Sequence, residues 1–306
     1  MRIVFVGAVE FSRHCLKEVL ENGGDVVAAL TLPEEKAGFH SDYADLSDVA
    51  AQHEVSVYKL DREINHPENI KLIRSLQPDV VFIFGWSQLI SKHVLDIPPL
   101  GCVGTHPALL PRNRGRHPIV WALVEGLEES GLTFFYLDEG TDSGDILWQK
   151  PFPITLEDDA GSLYERIKAL ASEAIREFLP QLKQGTAQRI PQDHSQATYW
   201  RKRTEGNGEI HWTAPTMKTY NLIRALARPY VGAYTYAGGR KVTLWRAKLS
   251  QDPLPSEARY LKPGAVFANA DAEFDVRTGD GYLTVLEYEL AGAGSIEVGS
   301  RLGDQQ

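Results

Sequence analysis

The first two thirds of the chain alternate short apolar runs with stretches of helical spacing. Arg2 to Val6 form an apolar run of the kind buried on both faces of a sheet, and Gly7 turns the chain out of it. Phe11, Cys15, Leu16, Val19 and Leu20 mark one face of a helix over 11–22 that ends at Gly23-Gly24. The alternation continues with a strand over 25–30, a polar loop over 31–46, a short helix over 47–53, a strand over 55–59, a helix over 67–76 and a buried strand over 78–84. Gly85 to Gln88 leave that strand and are expected to begin another helix. A short apolar segment at Cys102-Val103, a helix over 118–127 and strands over 132–137 and 146–149 follow. The next helix is long, with Asp158 or Asp159 as its cap and Leu163, Ile167, Leu170, Ala174, Ile175 and Leu179 on one face. Strands and helices alternating at these intervals predict an α/β fold, a Rossmann-like, doubly wound and mainly parallel sheet.

The pattern then changes. Residues 190–203 are polar and aperiodic, and are expected to link a first domain over 1–189 to a second over 204–292. In the second, a helix over 215–227 precedes short strands near 233–236, 241–246, 264–267, 273–276 and 282–286, with turn signals at Gly238-Gly239 and Gly279-Asp280-Gly281. That spacing predicts a small OB-like β-barrel. Residues 293–306 are expected to be a frayed tail.

Composition narrows the function classes. The 306 residues are 43% hydrophobic and 24% charged, an ordinary globular mixture, and the formal net charge of -9 argues against a general nucleic-acid binder. Cys15 and Cys102 lie in apolar surroundings, too few and too distant for a zinc knuckle or a disulfide framework, and are expected in the core. MRIVFVGAVEF lacks the long apolar core and cleavage site of a signal peptide, and no stretch reaches the length of a membrane span. A cytoplasmic location with no membrane partner is the expectation. The first strand's turn reads GAVEFS rather than the three-glycine fingerprint, which argues against a dinucleotide.

Candidate chemistry concentrates in residues 101–145. There, a loop with His106, Pro107, Pro111, Arg112, Arg114 and Arg116 is followed by an acidic, glycine-rich turn from Asp138 to Asp145. The two loops are expected to follow two separate strands, where open α/β sheets place their sites. A histidine held by a carboxylate has a fixed tautomer and suits proton transfer near neutrality. His106 could equally be a structural hydrogen-bonder, and Asp142 in its GTDSG context simply a turn former. The three arginines could bind phosphate or form a solvated loop.

The same stretch resembles the 10-formyltetrahydrofolate-dependent formyltransferases, the group containing methionyl-tRNA, glycinamide ribonucleotide and sugar N-formyltransferases. The matching pieces are His106 to Pro111, Arg114-Gly115, Pro118-Ile119, Gly131 to Thr133 and Asp138 to Asp145, with MRIVFVGAVEF, FGWSQLI, Ile210 to Trp212 and Arg228 to Ala233 elsewhere. The resemblance implies a Rossmann-like catalytic domain and a barrel-like second domain, N10-formyltetrahydrofolate as co-substrate, and no metal. It implies that His106 and Asp142 are the catalytic pair. It also implies that the folate is wrapped by Phe84, Gly85, Trp86, Ser87, Leu89 and Ile90 on one side and by Leu137, Asp138, Gly140 and Asp142 on the other. One position departs: where the family carries an asparagine that stabilises the formyl oxygen, this chain has Gly104. Losing such a donor costs on the order of 10²–10³ in rate. Either a replacement donor fills the space (His117 is the candidate), or protonated His106 acts alone, or the protein is a folate binder of low or no activity.

The transfer RNA enzymes of this family have a basic loop after the second strand. Here that loop is LPEEKAGFHSDYADL, the wrong sign for phosphates. The loop resembles that of sugar N-formyltransferases, including those proposed for nonulosonic acids. The expected function is therefore formylation of an amino sugar, with Phe39, Ser41, Asp42 and Tyr43 at the sugar and Arg112, Arg114 or Arg116 at a phosphate or carboxylate. Methionyl-tRNA formyltransferase is the alternative. An exposed face of the barrel could serve a homodimer.

Overall fold

The computed structural model of the protein describes residues 1–36, 38, 41–250, 252–270 and 273–303. It divides into two compact units: Met1–Pro118, Glu129–Pro153 and Tyr164–Arg201 form one, and Ile119–Glu128, Ile154–Leu163 and the chain from Lys202 onward form the other.

In chain order the first part runs β1 (Arg2–Val6), α1 (Glu10–Glu21), β2 (Asp25–Thr31), α2 (Ser47–Gln52), β3 (Ser56–Lys59), α3 (Pro67–Ser75), β4 (Val80–Ile83), α4 (Lys92–Leu95), β5 (Cys102–His106), β6 (Arg114–Gly115), α5 (Pro118–Val124), β7 (Glu129–Tyr136), β8 (Ile146–Pro153), α6 (Ala160–Gln184) and β9 (Tyr199–Trp200). Seven strands make one sheet in the order β3-β2-β1-β4-β5-β7-β8. The first five neighbours pair in parallel, while β7 runs antiparallel to both β5 and β8. This is the Rossmann-like, mainly parallel sheet expected from the pattern. Asp159 does cap α6, accepting from the Ser162 N–H at 2.9 Å.

The core explains why the central strands are continuously apolar. Phe82 stacks on Phe84 (ring centroids 5.2 Å), and Phe134 meets Phe84 at 5.2 Å and Phe178 of α6 at 5.0 Å. Such contacts add to the burial of already large apolar rings. Cys15 and Cys102 are both buried, as expected, and burial alone pushes the Cys102 thiol up to about 12.

Three local expectations change. Gly85 to Gln88 do not begin a helix: α4 starts only at Lys92. Gly85 turns the chain at φ +64°, and a Cβ there would lie 2.5 Å from the Ser12 hydroxyl oxygen. That hydroxyl donates to the Phe84 carbonyl at 2.6 Å, pinning the end of β4 to the β1–α1 turn. Residues 190–203 are not a free linker either, because Ile190 exchanges backbone hydrogen bonds with Ile146 and β9 pairs in parallel with β6.

The third change concerns the second unit, where α7 (Thr216–Leu226) precedes β10 (Ala233–Ala237), β11 (Arg240–Leu249), β12 (Val266–Ala270), β13 (Glu273–Arg277) and β14 (Tyr282–Leu290). These form an antiparallel sheet in the order β10-β11-β14-β13-β12. Its two edges are bridged by residues expected to fray. Leu302 bridges Ala237 of β10, and Arg301 bridges Ala265 next to β12. Leu302 is buried at 2% exposure, so apolar burial and paired backbone hold 300–303 in place. Among the described residues no helix is long and apolar enough to cross a membrane.

Candidate active site

His106 is the last residue of β5 and is 4% exposed. Its Nε2 lies 2.7 Å from the Asn113 carbonyl. A carbonyl only accepts, so Nε2 carries the proton and the tautomer is fixed by this contact. Nδ1 faces Asp142 Oδ2 at 3.6 Å, beyond a direct hydrogen bond. A proton gained at Nδ1 would therefore point at a carboxylate, while Nε2 stays held. The sequence suggested a carboxylate orienting the ring; the main-chain carbonyl of Asn113 makes the closer contact.

The acidic turn reaches His106 from an unexpected direction. Because β7 is antiparallel to β5, its end at Tyr136 pairs with Val103, near the start of β5. The turn must fold back toward the carboxyl end of β5 to bring Asp142 to the histidine. Several contacts hold it there. The Gly115 N–H donates to Asp142 Oδ2 at 2.8 Å, and Tyr136 N–H donates to the Asp145 carbonyl at 2.8 Å. Asp138 Oδ1 accepts from the Gly140 N–H at 3.0 Å and from the Ser143 hydroxyl at 2.7 Å, so that carboxylate shapes the turn. Asp142 itself sits at φ +49°, a left-handed conformation that Asp tolerates better than most residues. Gly144 is required by space, since a Cβ there would lie 1.9 Å from the Tyr136 carbonyl oxygen.

The pairing Ile83↔Gly104 sets the segment from Phe84 to Ile90 beside the His106 end of β5. Phe84 is wholly buried in the core, whereas Leu89 is 75% exposed. Asn65 fixes the far end, donating to the Leu89 carbonyl at 2.7 Å and accepting from the Ser91 N–H at 2.8 Å. Trp86 packs on the apolar cluster of the sheet, and its indole N–H is buried with no hydrogen-bond acceptor among the described residues. A buried donor left without a partner is uncommon, and it lies in a segment where Ser87 and Leu89 are exposed.

The three arginines part company. Arg112 is exposed, and Arg116 is exposed with Nη1 donating to the Ser87 carbonyl at 3.1 Å. Arg114 is 1% exposed and spends its guanidinium on Gln192, Tyr199 and His194, so it is not the ligand-facing cation the sequence allowed. Of the loop residues expected at the acceptor, Ser41 is exposed and Phe39 lies outside the described residues. Asp42 accepts from the Tyr164 hydroxyl at 2.6 Å, and Tyr43 donates to the Leu32 carbonyl at 3.1 Å. Both therefore shape the loop. The open cleft beside them, of about 530 Å³, has Glu10, Arg13, Glu34, Asp45 and Asp48 among its lining residues.

Gly104 is not a gap. The three atoms nearest to a Cβ built there all belong to Leu137, with Cδ2 at 2.5 Å. The space that a larger side chain would use is filled by an apolar one that offers no donor. His117 does not take that place; it is exposed, at φ +56°. Sequence reasoning missed Asn113, Gln192, Asn65 and Ser12: Gln192, Asn65 and Ser12 act on main-chain groups 24 or more residues away, and Asn113 acts through its own main-chain carbonyl, a group that every residue carries.

Comparison with known proteins shows the family to which the chain belongs. The family model described as formyl transferase matches residues 1–179, and that described as formyl transferase, C-terminal domain, matches 202–300. A methionyl-tRNA formyltransferase of Caldanaerobacter subterraneus subsp. tengcongensis is 33% identical over 295 residues, covering 96% of this chain and 93% of that protein. The N-formyltransferase from Helicobacter canadensis, solved with folinic acid and dTDP-3-aminofucose, superimposes with a TM-score of 0.66 at 17% identity, covering 94% of this chain and 99% of that one. HypX from Aquifex aeolicus in complex with tetrahydrofolic acid gives a TM-score of 0.66 at 20% identity over 93% of this chain and 43% of its own. At such identities the two structures speak for the fold alone.

Proposed function

The chain belongs to the formyl transferase family, and from that premise we propose that it moves a formyl group from N10-formyltetrahydrofolate to the primary amine of an amino sugar. In this reading Phe84 to Ile90 and Leu137 to Asp142 hold the folate, with the Trp86 N–H and main-chain groups as partners. The neutral amine attacks the formyl carbon, the bond from that carbon to N10 breaks, the amine gives up a proton and N10 takes one. His106 passes that proton through Nδ1, because Nε2 is committed to Asn113. Asp142 stabilises the charged ring, and imidazolium offers the positive charge that the oxyanion needs at a site where Leu137 provides none. Arg112 and Arg116 are the exposed cations for an acidic group on the acceptor.

The observation that carries the choice of acceptor is the acidic cleft after β2. Four carboxylates line it against one arginine: Arg13 is bound by Asp48 and lies 4.0 Å from Glu10, Asp45 is paired with Lys59 at 3.1 Å, and Glu34 completes the acidic set. Phosphodiester binding rests on uncompensated Lys and Arg, so this face suits a small amine better than an acceptor stem. Turnover with the folate and a panel of nucleotide-linked and free amino sugars tests the reading, and formylation of charged initiator transfer RNA in preference to every sugar would overturn it. The full-length relatives favour that second acceptor. It predicts transfer RNA binding that weakens steeply between 50 and 200 mM salt, by roughly 10³-fold or more if six phosphates are contacted.

Gly104 and Leu137 motivate a further prediction. Gly104→Asn alone is expected to lower stability by about 1–3 kcal/mol through overpacking against Leu137, with no gain in turnover. Gly104→Asn combined with Leu137→Ala is expected to recover stability in part and to raise the rate of formyl transfer. Denaturant titration and steady-state kinetics on both variants check this. If the double variant transfers formyl groups while the unaltered chain binds folate without turnover, the protein is a folate binder and not an enzyme.

A further inference from the structure

The side chain of Gln192 stands at the join between two groups of residues that the sequence keeps far apart. It is 6% exposed. Its Oε1 accepts from Arg114 Nη2 at 2.6 Å and from Arg114 Nε at 3.2 Å. Its Nε2 donates to the Gly144 carbonyl at 2.6 Å and to the Asp142 carbonyl at 3.0 Å. The orientation of this amide is unambiguous, because a guanidinium can only donate and carbonyls can only accept. We infer that Gln192 is a positioning residue: its amide clamps the turn that carries Asp142 and so sets that carboxylate against His106, while Arg114 holds the amide in register. The inference rests on the roles proposed for His106 and Asp142.

Three observations support a clamp over a simple filler. The two carbonyls it grips lie on either side of Ser143, so both protons of Nε2 bear on one short stretch of backbone. Asp142 within that stretch is in the left-handed region at φ +49°, a sparsely populated conformation that Asp can adopt and that the two hydrogen bonds from Nε2 help to fix. Arg114, moreover, is buried, and among the described residues its guanidinium meets Gln192, the Tyr199 hydroxyl at 3.0 Å and His194 Nδ1 at 3.2 Å, with no carboxylate among them. A carboxylate at 192 would pair better with that guanidinium, yet could not donate to the turn. Only an amide has an acceptor on one side and two donors on the other. The other hold on Asp142, from the Gly115 N–H, comes from the residue following Arg114, and β6 is paired to β9 at Tyr199 and Trp200. The two-residue strand β6 thus bears on the acidic turn twice, directly through the Gly115 N–H and through Gln192, which Arg114 holds.

The test uses the full chain carrying Gln192→Glu or Gln192→Met. Gln192→Glu keeps the acceptor for Arg114 and loses both donations to the turn, while Gln192→Met loses all four hydrogen bonds. The readouts are the melting temperature, the pH titration of the His106 ring followed by nitrogen NMR (its signal assigned by its loss in His106→Ala), and kcat and KM for formyl transfer. Gln192→Glu is expected to melt within a few degrees of the unaltered chain, to shift the His106 titration and to lower kcat by about 10–100-fold with KM little changed, since an ångström of misplacement in a site costs about that much. Gln192→Met is expected to shift the titration in the same sense and to melt lower. A His106 titration that is the same in all three proteins overturns the inference, as does a kcat that survives Gln192→Glu. The NMR titration needs no acceptor. A shift there alongside full turnover in His106→Ala would leave the clamp standing and remove the catalytic role of the histidine.

Discussion

Asp142→Asn is expected to lower formyl transfer by about 10²–10⁴-fold, the range typical of a lost acid–base partner, with the melting temperature almost unmoved. The substitution is unusually clean. Asparagine is among the few residues at ease in the left-handed region that position 142 occupies, so the backbone at φ +49° is kept. Its side-chain oxygen can still accept from the Gly115 N–H, which now donates to Oδ2 at 2.8 Å. What goes is the negative charge 3.6 Å from His106 Nδ1. His106→Ala should lower the rate at least as far, but it also removes the contact with the Asn113 carbonyl inside a buried site, at a cost of about 1–3 kcal/mol. Comparing kcat with the thermal midpoint separates the two cases, and normal activity in either variant would exclude the proposed chemistry.

Gly115→Ala should be strongly damaging to the fold, because backbone strain and a main-chain clash fall on the same residue. Gly115 has φ +108°, and a Cβ on it would lie 2.3 Å from the Trp200 carbonyl oxygen. Backbone strain and a clash with main chain, which cannot swing aside, together cost about 2–5 kcal/mol. The chain can relieve this only by separating β6 from β9, which also misaligns the N–H that holds Asp142. Loss of hydrogen-exchange protection at Arg114 and Arg116, whose N–H groups donate to the carbonyls of Thr198 and Trp200, would mark that separation. Protection and activity both intact would show that this two-stranded pairing is dispensable.

The fold was legible wherever burial imposes a repeating pattern. Val80 to Ile83 are all buried, so their strand shows as an unbroken apolar run, and α6 shows its apolar face at helical spacing. The Gly85 segment misled because its conformation is set by Ser12, over seventy residues away, through a glycine that helical spacing cannot reveal. Residues 190–203 and 300–303 read as polar and aperiodic for a related reason: each contributes one or two pairing residues to a neighbour, too few to make a period. The same limit applies to the site. His106 and Asp142 stand out by resemblance, and the geometry brings them together. Arg114 looked like a ligand-binding cation because charge is visible in sequence and burial is not. Gly104 looked like an absence until Leu137 was found occupying its space.

The pairing of β6 with β9 also has a timetable. His106 and Asp142 leave the ribosome well before Gln192 and Trp200, the last of which follows the histidine by roughly 90 residues. At ordinary rates of synthesis that interval is about 5–20 s. The pair is complete only after Asp142, so for the remaining 58 residues, about 3–12 s, the nascent chain carries both side chains without the clamp or the companion strand that bring them into register, and the site waits for the stretch around residue 200.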